Sequence, residues 1–480
     1  MEDYTFQTIR DWEGKIRKIT QKEYTASVGH GQFYPPEGAL SFQDEGDRST
    51  AYFVGGARYK KPEHWAMSDT MFRVTLQQID DDKNYTIGAF DIIKPSTSAT
   101  SYPPKLAFAS GLTIKAGKKN LLAIIVNGKC LDVRSPEHSL SNEIHVIEIV
   151  QPLNSTYRTR TYRTPDRANK FPIHSTKKEI LQAGDIPRPK YGSTLTPLTS
   201  NGTSGTAVLV GGNSVEDIKP TAVEIMMGTK SLWKENSCGD LHLLKYNLSS
   251  KSFIWTKLEI QIDPRAHHSV MLSGRHLFIF GGVNYDTNLR YKLQPVVIDV
   301  TTWTSVMMIV PDSFPDIALS GHSFLQVSKH KCLLFGGYNT VLAKPEDTPT
   351  DTLIQLVVHQ LLPTIHGIKM MSLGSSPVAQ SSMIMTPEED VFIVGGGTQE
   401  RWALISKYVA PATPCDLDKN KKCILVNTPE CYGKDTVNWL GCDGLCRRFF
   451  HVPCLKMSYT QFLEARKRRK WFCNRSDCKK

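Results

Sequence analysis

Five times along this chain an apolar, β-branched run ends in two glycines: Tyr52-Phe53-Val54-Gly55-Gly56, Val208-Leu209-Val210-Gly211-Gly212, Phe278-Ile279-Phe280-Gly281-Gly282, Leu333-Leu334-Phe335-Gly336-Gly337 and Phe392-Ile393-Val394-Gly395-Gly396. A sixth, degenerate copy is Ala123-Ile124-Ile125-Val126-Asn127-Gly128, in which Asn127 replaces the first glycine yet still tolerates a left-handed backbone. The steps between pairs are 72, 84, 70, 55 and 59 residues, so one supersecondary unit recurs along most of the chain. Upstream of the pairs lie segments such as Pro187 to Ser193, Pro264 to Ser269 and Ser320 to Ser323, each leading into a strand. Downstream, after a loop, comes an outer strand: Met71 to Leu76, Ile144 to Ile149, Leu241 to Tyr246, Val296 to Val300, Leu353 to Val358 and Ala403 to Tyr408. An aromatic follows twice, Trp255 and Trp303.

This order of features resembles the kelch repeat, whose unit is a four-stranded blade of a β-propeller. The expected fold is therefore all-β, a six-bladed kelch-like propeller over residues 24 to 410, closed by pairing the first and last strands so that no long edge stays open. The glycines are required where a twisted inner strand ends near the narrow central channel and a Cβ would clash. A β-sandwich does not repeat a strand signature at such spacing. His267, His268 and His322 fall at turn positions of the repeat and read as structural.

With 480 residues, 40% hydrophobic and 22% charged, the chain has ample material for a packed core. No stretch approaches the run of about 18 apolar residues that a membrane span needs, and the start has neither the basic end nor the apolar core of a secretory signal. A soluble, intracellular protein with no membrane partner is expected. Charge and cysteine are both skewed to the far end. Residues 415 to 480 carry 15 Lys+Arg against 7 Asp+Glu, while the rest carries 43 against 40, so an acidic partner such as nucleic acid or chromatin, or a solvated tail, is the consequence. Eight of the 11 cysteines lie there too, and in a reducing compartment such a cluster reads as metal ligands rather than disulfides.

The ordered donors are Cys423, Cys431, Cys442, Cys446, His451, Cys454, Cys473 and Cys478, and ligands held a few residues apart suit tetrahedral zinc. With the one His fifth, the spacing Cys446-x4-His451-x2-Cys454, and Trp471 two before Cys473, the segment 415 to 480 resembles the PHD finger; a RING domain places its His fourth. The resemblance implies interleaved sites, one zinc on Cys423, Cys431, His451 and Cys454 and a second on Cys442, Cys446, Cys473 and Cys478. Cys423-x7-Cys431 is wider than usual for a first pair, so Cys415 stands as an alternative to Cys423. Four protein ligands on each ion leave no open position, and both zincs are expected to be structural. PHD fingers commonly take the histone H3 tail as an added strand, some enclosing a methylated lysine near its start in aromatic rings. By position Trp439 and Phe449 are the two cage walls, although Phe stands where the strongest pattern has Trp, and Lys419 where it has an aromatic.

Two basic strips allow DNA contact. In one, Arg158 and Arg160 share a strand face with Tyr162, and Arg163 follows; in the other, Arg466, Lys467, Arg468, Arg469 and Lys470 run consecutively. The alternative for each is a solvated basic surface, and the second run also suits nuclear import.

A six-bladed kelch-like propeller followed by a PHD finger resembles the family of recombination-activating protein two, the accessory subunit of the V(D)J recombinase, and its transposon-borne relatives. The segments Pro187 to Ser193, Gly211-Gly212, Leu232-Trp233-Lys234 and Asp240 to Asn247 are similar to the third blade of that family. The acidic hinge is missing, which points to the transposon type. The resemblance implies a nuclear, noncatalytic partner of a DDE-type recombinase or transposase, active in DNA recombination or transposition, with the propeller docking the catalytic subunit and bracing DNA while the finger holds histone H3. The alternative is a chromatin-reading scaffold without a recombinase partner. A ubiquitin-ligase adaptor would need a dimerisation or cullin-binding domain that residues 1 to 23 are too short to supply, and a copper oxidase would need a Cys, Tyr and His constellation that Cys130, Cys238 and Cys332 do not offer.

Overall fold

The computed structural model describes residues 37–408 except 45–46, 62–63, 69–70, 79–84, 96–104, 117–119, 133–134, 151–155, 163–181, 219–231, 311–313, 315, 345–346, 360–361, 373–376, 387–390 and 398–403; beyond 408 it describes 439–441, 449–451 and Ala465. The chain separates into two compact units, one of Phe6–Tyr408 and the other of Val409–Lys480 with Met1–Thr5.

In the larger unit, short apolar runs alternate with turns, and each run of four becomes an antiparallel meander. The first is Leu40–Asp44, Asp47–Val54, Met71–Gln78 and Tyr85–Pro95. The second is Ser110–Ala116, Asn120–Val126, Ile144–Val150 and Thr156–Tyr162. The third is Thr194–Asn201, Ser204–Val210, Asp240–Asn247 and Ser252–Gln261, with Ala183–Gly184 added in parallel outside it. Ser269–Ser273, His276–Phe280, Val296–Asp299 and Thr304–Val306 make the fourth, and Ser323–Gln326, Lys331–Phe335, Thr352–Val358 and Ile365–Ser372 the fifth. The sixth has three described strands, Ser382–Met385, Val391–Gly395 and Leu404–Tyr408. Each segment expected downstream of a glycine pair is a strand, but the third of its meander rather than the outermost, since a fourth strand lies beyond it in five repeats. The fold is all-β and consistent with a β-propeller.

The second strand of each meander is buried over at least four residues running to or within one residue of its glycine-side end, and the sheets hide their faces against one another. One apolar cluster joins the first and second repeats (Phe42, Met71, Ile125, Ile147) and another the second and third (Ile114, Ile144, Leu244, Trp255). The third packs on the fourth through Val210, Leu241, Leu277 and Ile279, and the fourth on the fifth through Phe278, Phe280, Leu334 and Ile354. A further cluster joins the first repeat to the sixth through Phe53, Phe72, Phe392 and Val394. At roughly 1.5–3 kcal/mol for each large apolar side chain, this face-to-face burial is the main stabilising term.

The glycine pairs mark the crossing from one repeat to the next. At Gly211, with φ +57°, an added Cβ would stand 2.6 Å from the carbonyl oxygen of Arg265 at the start of the following repeat. Gly212 then donates its N–H to that same oxygen at 2.8 Å. Asn127, in the degenerate second copy, has φ +60°, as its tolerance of the left-handed region requires.

The expected closing pair falls outside the described residues, which include neither 24–36 nor a fourth strand of the sixth repeat. Among the described residues the first and sixth meanders meet through their shared apolar cluster and through Gln43, whose side chain bonds both ways to Met385. The neighbouring sheets touch face to face, and among the described residues only the first and second share a sheet, through two parallel pairs, Thr156 with Lys94 and Tyr157 with Pro95.

Candidate functional site at the ring axis

One residue ahead of each innermost strand stands in the left-handed region: Gly38 (φ +65°), Phe108 (+53°), Gly192 (+63°), His267 (+53°), Gly321 (+64°) and Gln380 (+55°). Their backbones bond to one another in a closed circuit. The N–H of Gly38 donates to Gln380 O (3.1 Å), Gln380 to Gly321 (2.7 Å), Gly321 to His267 (3.0 Å), His267 to Gly192 (2.7 Å), Gly192 to Phe108 (2.9 Å) and Phe108 back to Gly38 (2.9 Å). Left-handed backbone costs a non-glycine residue about 1–2 kcal/mol, and at Phe108, His267 and Gln380 the ring bonds hold it in place.

Within this ring lies a cavity of about 130 Å³, lined by the ring residues and by those following them, among them Ser193, His268, His322 and Ser381. The histidines are structural, as expected: His268 Nε2 bonds to Thr194 Oγ1 at 3.1 Å and His322 Nε2 to Ser269 Oγ at 2.7 Å, each tying one repeat to another. Among the described residues the Nδ1 of each has no hydrogen-bond partner. Burial pushes His322 down to about 3, and burial together with the neighbouring Arg265 cation holds His268 well below its ordinary range, so both rings are neutral near pH 7.

Around the mouth of the ring the side chains are aromatic and acidic. The His267 ring lies 5.4 Å from Phe108, 5.7 Å from Tyr191 and 6.0 Å from Tyr285, centroid to centroid, and its Nδ1 meets Gln380 Nε2 at 2.9 Å. Tyr191 donates its hydroxyl to Glu235 Oε1 at 2.9 Å and accepts from Asn213 Nδ2 at 2.9 Å, while Lys129 Nζ lies 5.2 Å over its ring. Burial, then the neighbouring Tyr285 and Glu235, raises the Tyr191 phenol, which stays neutral.

Beside the mouth, Arg290 pins the loops of the fourth and fifth repeats together. It pairs with Asp347 at 2.6 Å, both side chains buried, and donates to Ser320 Oγ (2.9 Å), Leu342 O (3.1 Å) and Thr340. The clasp sets up the bridge between Leu289 and Leu342 and leaves Leu289, Val341 and Leu342 exposed side by side.

The sequence-expected residues fall as follows. Arg158 and Arg160 occupy alternate positions of the fourth strand of the second repeat, Arg158 in register opposite Glu148 and Arg160 opposite Val146. Arg163 and Arg466, Lys467, Arg468, Arg469 and Lys470 lie outside the described residues, as do Cys415, Cys423, Cys431, Cys442, Cys446, Cys454, Cys473 and Cys478. His451 is the one expected zinc ligand that is described. It ends the strand Phe449–His451, which pairs with Trp439–Gly441 so that Trp439 opposes His451 and Phe449 opposes Gly441. Among the described residues no group of three or more His, Cys, Asp or Glu is placed to hold a metal. What the sequence did not disclose is the axial set, Glu37, Tyr191, Tyr285 and Tyr338, and the Arg290–Asp347 clasp. The available signal was nearness alone: Glu37 and Tyr191 directly precede Gly38 and Gly192, while Tyr338 follows Gly337 by one residue and Tyr285 follows Gly282 by three.

No family model matches the chain, and no curated protein sequence matches it. Among solved structures it is similar to YjhT, at 14% identity over 78% of this chain and 94% of that one with a TM-score of 0.43. It is similar also to a chain of RAG in complex with one melted RSS and one unmelted RSS, at 16% identity over 79% of this chain and 96% of that one with a TM-score of 0.46.

Proposed function

We propose that the six meanders are the blades of a six-bladed kelch-like propeller, that residues 415 to 480 form a two-zinc PHD finger, and that the whole is a noncatalytic accessory subunit of a DDE-type DNA recombinase or transposase. The observation that carries this reading is the presence in one chain of a six-repeat ring and a ligand order of four cysteines, one histidine and three cysteines. The donor set, two groups of thiolates with one imidazole, fits closed tetrahedral zinc, and a segment this small needs such metal to fold. Trp439 and Phe449 on paired strands support a cage at one sheet edge for the H3 tail, bound as an added strand with a methylated lysine near its start.

In this reading the propeller contributes no chemistry. The catalytic subunit's own carboxylates and two divalent metal ions cut DNA. The rigid apolar surface of Leu289, Val341 and Leu342 docks that subunit, and the basic residues Arg158, Arg160, Arg163 and Arg466 to Lys470 brace flanking DNA in the nucleus. Two modest contacts, one to the enzyme and one to histone, reinforce each other through effective concentration. Co-purification of the chain with a co-expressed DDE transposase, repeated with Val341→Asp and Leu342→Asp, tests the docking step. The reading expects association that the double substitution abolishes while zinc content is unchanged. Recovery of the chain only as a solitary histone binder favours a scaffold instead.

A further inference from the structure

Around the circuit of ring residues glycine alternates with a side chain: Gly38, Phe108, Gly192, His267, Gly321, Gln380. Each side chain lies over the glycine before it. A Cβ on Gly38 would run into the Phe108 ring, one on Gly192 would stand 3.0 Å from His267 Cε1, and one on Gly321 would stand 2.8 Å from Gln380 Nε2. The alternation gives all three side chains room to meet. The Phe108 and His267 rings pack edge to face with centroids 5.4 Å apart, and His267 Nδ1 is 2.9 Å from Gln380 Nε2.

Glycine at all six positions would give the same circuit without strain, since three of them already have it. Elsewhere among the described residues left-handed backbone outside glycine falls in turns, at Lys251, Asn288 and Trp303, or replaces a glycine, at Asn127. Here three such residues converge on one cavity, and strain concentrated in this way marks ligand sites.

The cavity, about 130 Å³, takes two adjacent residues from each repeat, and they divide its wall. The first and second repeats give Gly38, Ala39, Phe108 and Ala109, an apolar side. The third to sixth give Ser193, three imidazoles, Gln380 and Ser381, a hydrogen-bonding side. The described lining holds no Asp, Glu, Lys or Arg, and burial keeps His267, His268 and His322 uncharged near pH 7. An ion entering would give up its hydration with no opposite charge in that wall to replace it. A benzene-sized molecule occupies a cavity of about 150 Å³, so the space suits a single ring.

The polar side has a definite hydrogen-bonding sense. An amide nitrogen only donates, so His267 Nδ1 accepts from Gln380, and the proton of the neutral imidazole is on Nε2. His267 therefore offers an N–H and Gln380 a carbonyl oxygen, on two side chains already tied together. The complement of that pair is a carbonyl beside an N–H.

We propose that the ring cavity binds an uncharged, planar heterocycle of one ring with a lactam or amide edge, its apolar side toward Phe108 and its polar edge on His267 and Gln380. Phe108 supplies an aromatic contact and the two polar residues fix the orientation, the division of labour usual in small-molecule sites.

Calorimetric titration of the full chain with 2-pyridone tests this, with toluene as the apolar probe of similar size and benzoate and benzylammonium as the charged ones. The expected result is saturable one-to-one binding of 2-pyridone with a Kd of about 1 mM or tighter, and at least about tenfold weaker binding of the other three. Gln380→Gly and His267→Gly put at these positions the residue that the neighbouring ring positions already have. Each should weaken 2-pyridone at least about tenfold, and Gln380→Gly should leave the denaturation midpoint unchanged or higher because the strain is relieved. No saturable binding of 2-pyridone, equal binding of toluene or of either ion, or unaltered affinity in both glycine variants overturns the proposal.

Discussion

Gln43 and Met385, 342 residues apart in the chain, bond to each other twice: Gln43 Nε2 donates to Met385 O at 2.7 Å, and Met385 N–H donates to Gln43 Oε1 at 3.1 Å. Gln43 also donates to Arg48 O at 2.8 Å, so one amide is satisfied on both sides of the seam. Gln43→Ala is expected to remove these bonds and lower stability by about 2–3 kcal/mol, read as a lower denaturation midpoint with little change in slope. Because the seam joins the first repeat to the last, the loss should appear in the single main transition rather than as separate fraying.

Lys190 is fully buried, with Nζ 3.0 Å from Asp240 Oδ1. Burial works to raise Asp240, but the Lys190 cation and its hydrogen bond outweigh it and hold the carboxylate below its ordinary range. Asp240→Asn strands the lysine charge and should cost about 3–5 kcal/mol by chemical denaturation. Adding Lys190→Met to that variant should recover a large part, since the pair costs more to break than to replace.

A methyl group at a glycine pair tests the crossing between repeats. At Gly281, φ +60°, an added Cβ would fall inside contact distance of the Leu319 carbonyl oxygen. Gly281→Ala should destabilise by about 3 kcal/mol or more, against about 1–2 kcal/mol at exposed Gly202, which has the same backbone hand but open space.

His322 and His145 are buried and lowered by burial to about 3 and about 4, against 6.5 when unfolded. A depressed histidine binds its proton more readily in the unfolded chain, so its contribution is complete above pH 6.5 and is lost as pH falls toward the folded value. Each should remove about 1.4 kcal/mol per pH unit between 6.5 and about 4. His322→Gln should flatten that slope in denaturation curves collected across the window.

The repeat was readable because its constraint is a side-chain absence. A Cβ cannot stand at Gly211 or Gly281, so the glycine pairs announce every crossing, and Asn127 is the substitute the φ value permits. The axial ring was not readable, because it is built from N–H and C=O groups that Gly38, Phe108, His267 and Gln380 supply equally well. Lys190 and Arg265 look like surface residues in the sequence, yet both are buried, one against Asp240 and the other donating to Gly281 O at 3.0 Å. Glu37 follows two prolines and gives no sign that folding brings its carboxylate against Gly397. The register of Arg158 against Glu148 likewise depends on pairing that only the folded sheet sets.

Zinc removal separates the two compact units. Metal analysis of purified protein should find two zinc ions per chain, each structural site contributing an apparent ~10–16 kcal/mol in isolated finger peptides at neutral pH. On the proposed function, chelation should unfold residues 415 to 480 and abolish H3-peptide binding while the transition of the larger unit stays where it was.

The most direct measurement of the account is reconstitution of DNA cleavage with a DDE-type transposase, with and without this chain. The account predicts a stable complex in which cleavage depends on the accessory chain, and a loss of activity on Val341→Asp with Leu342→Asp that parallels the loss of association. Full cleavage by the enzyme alone, with no complex formed, would contradict it.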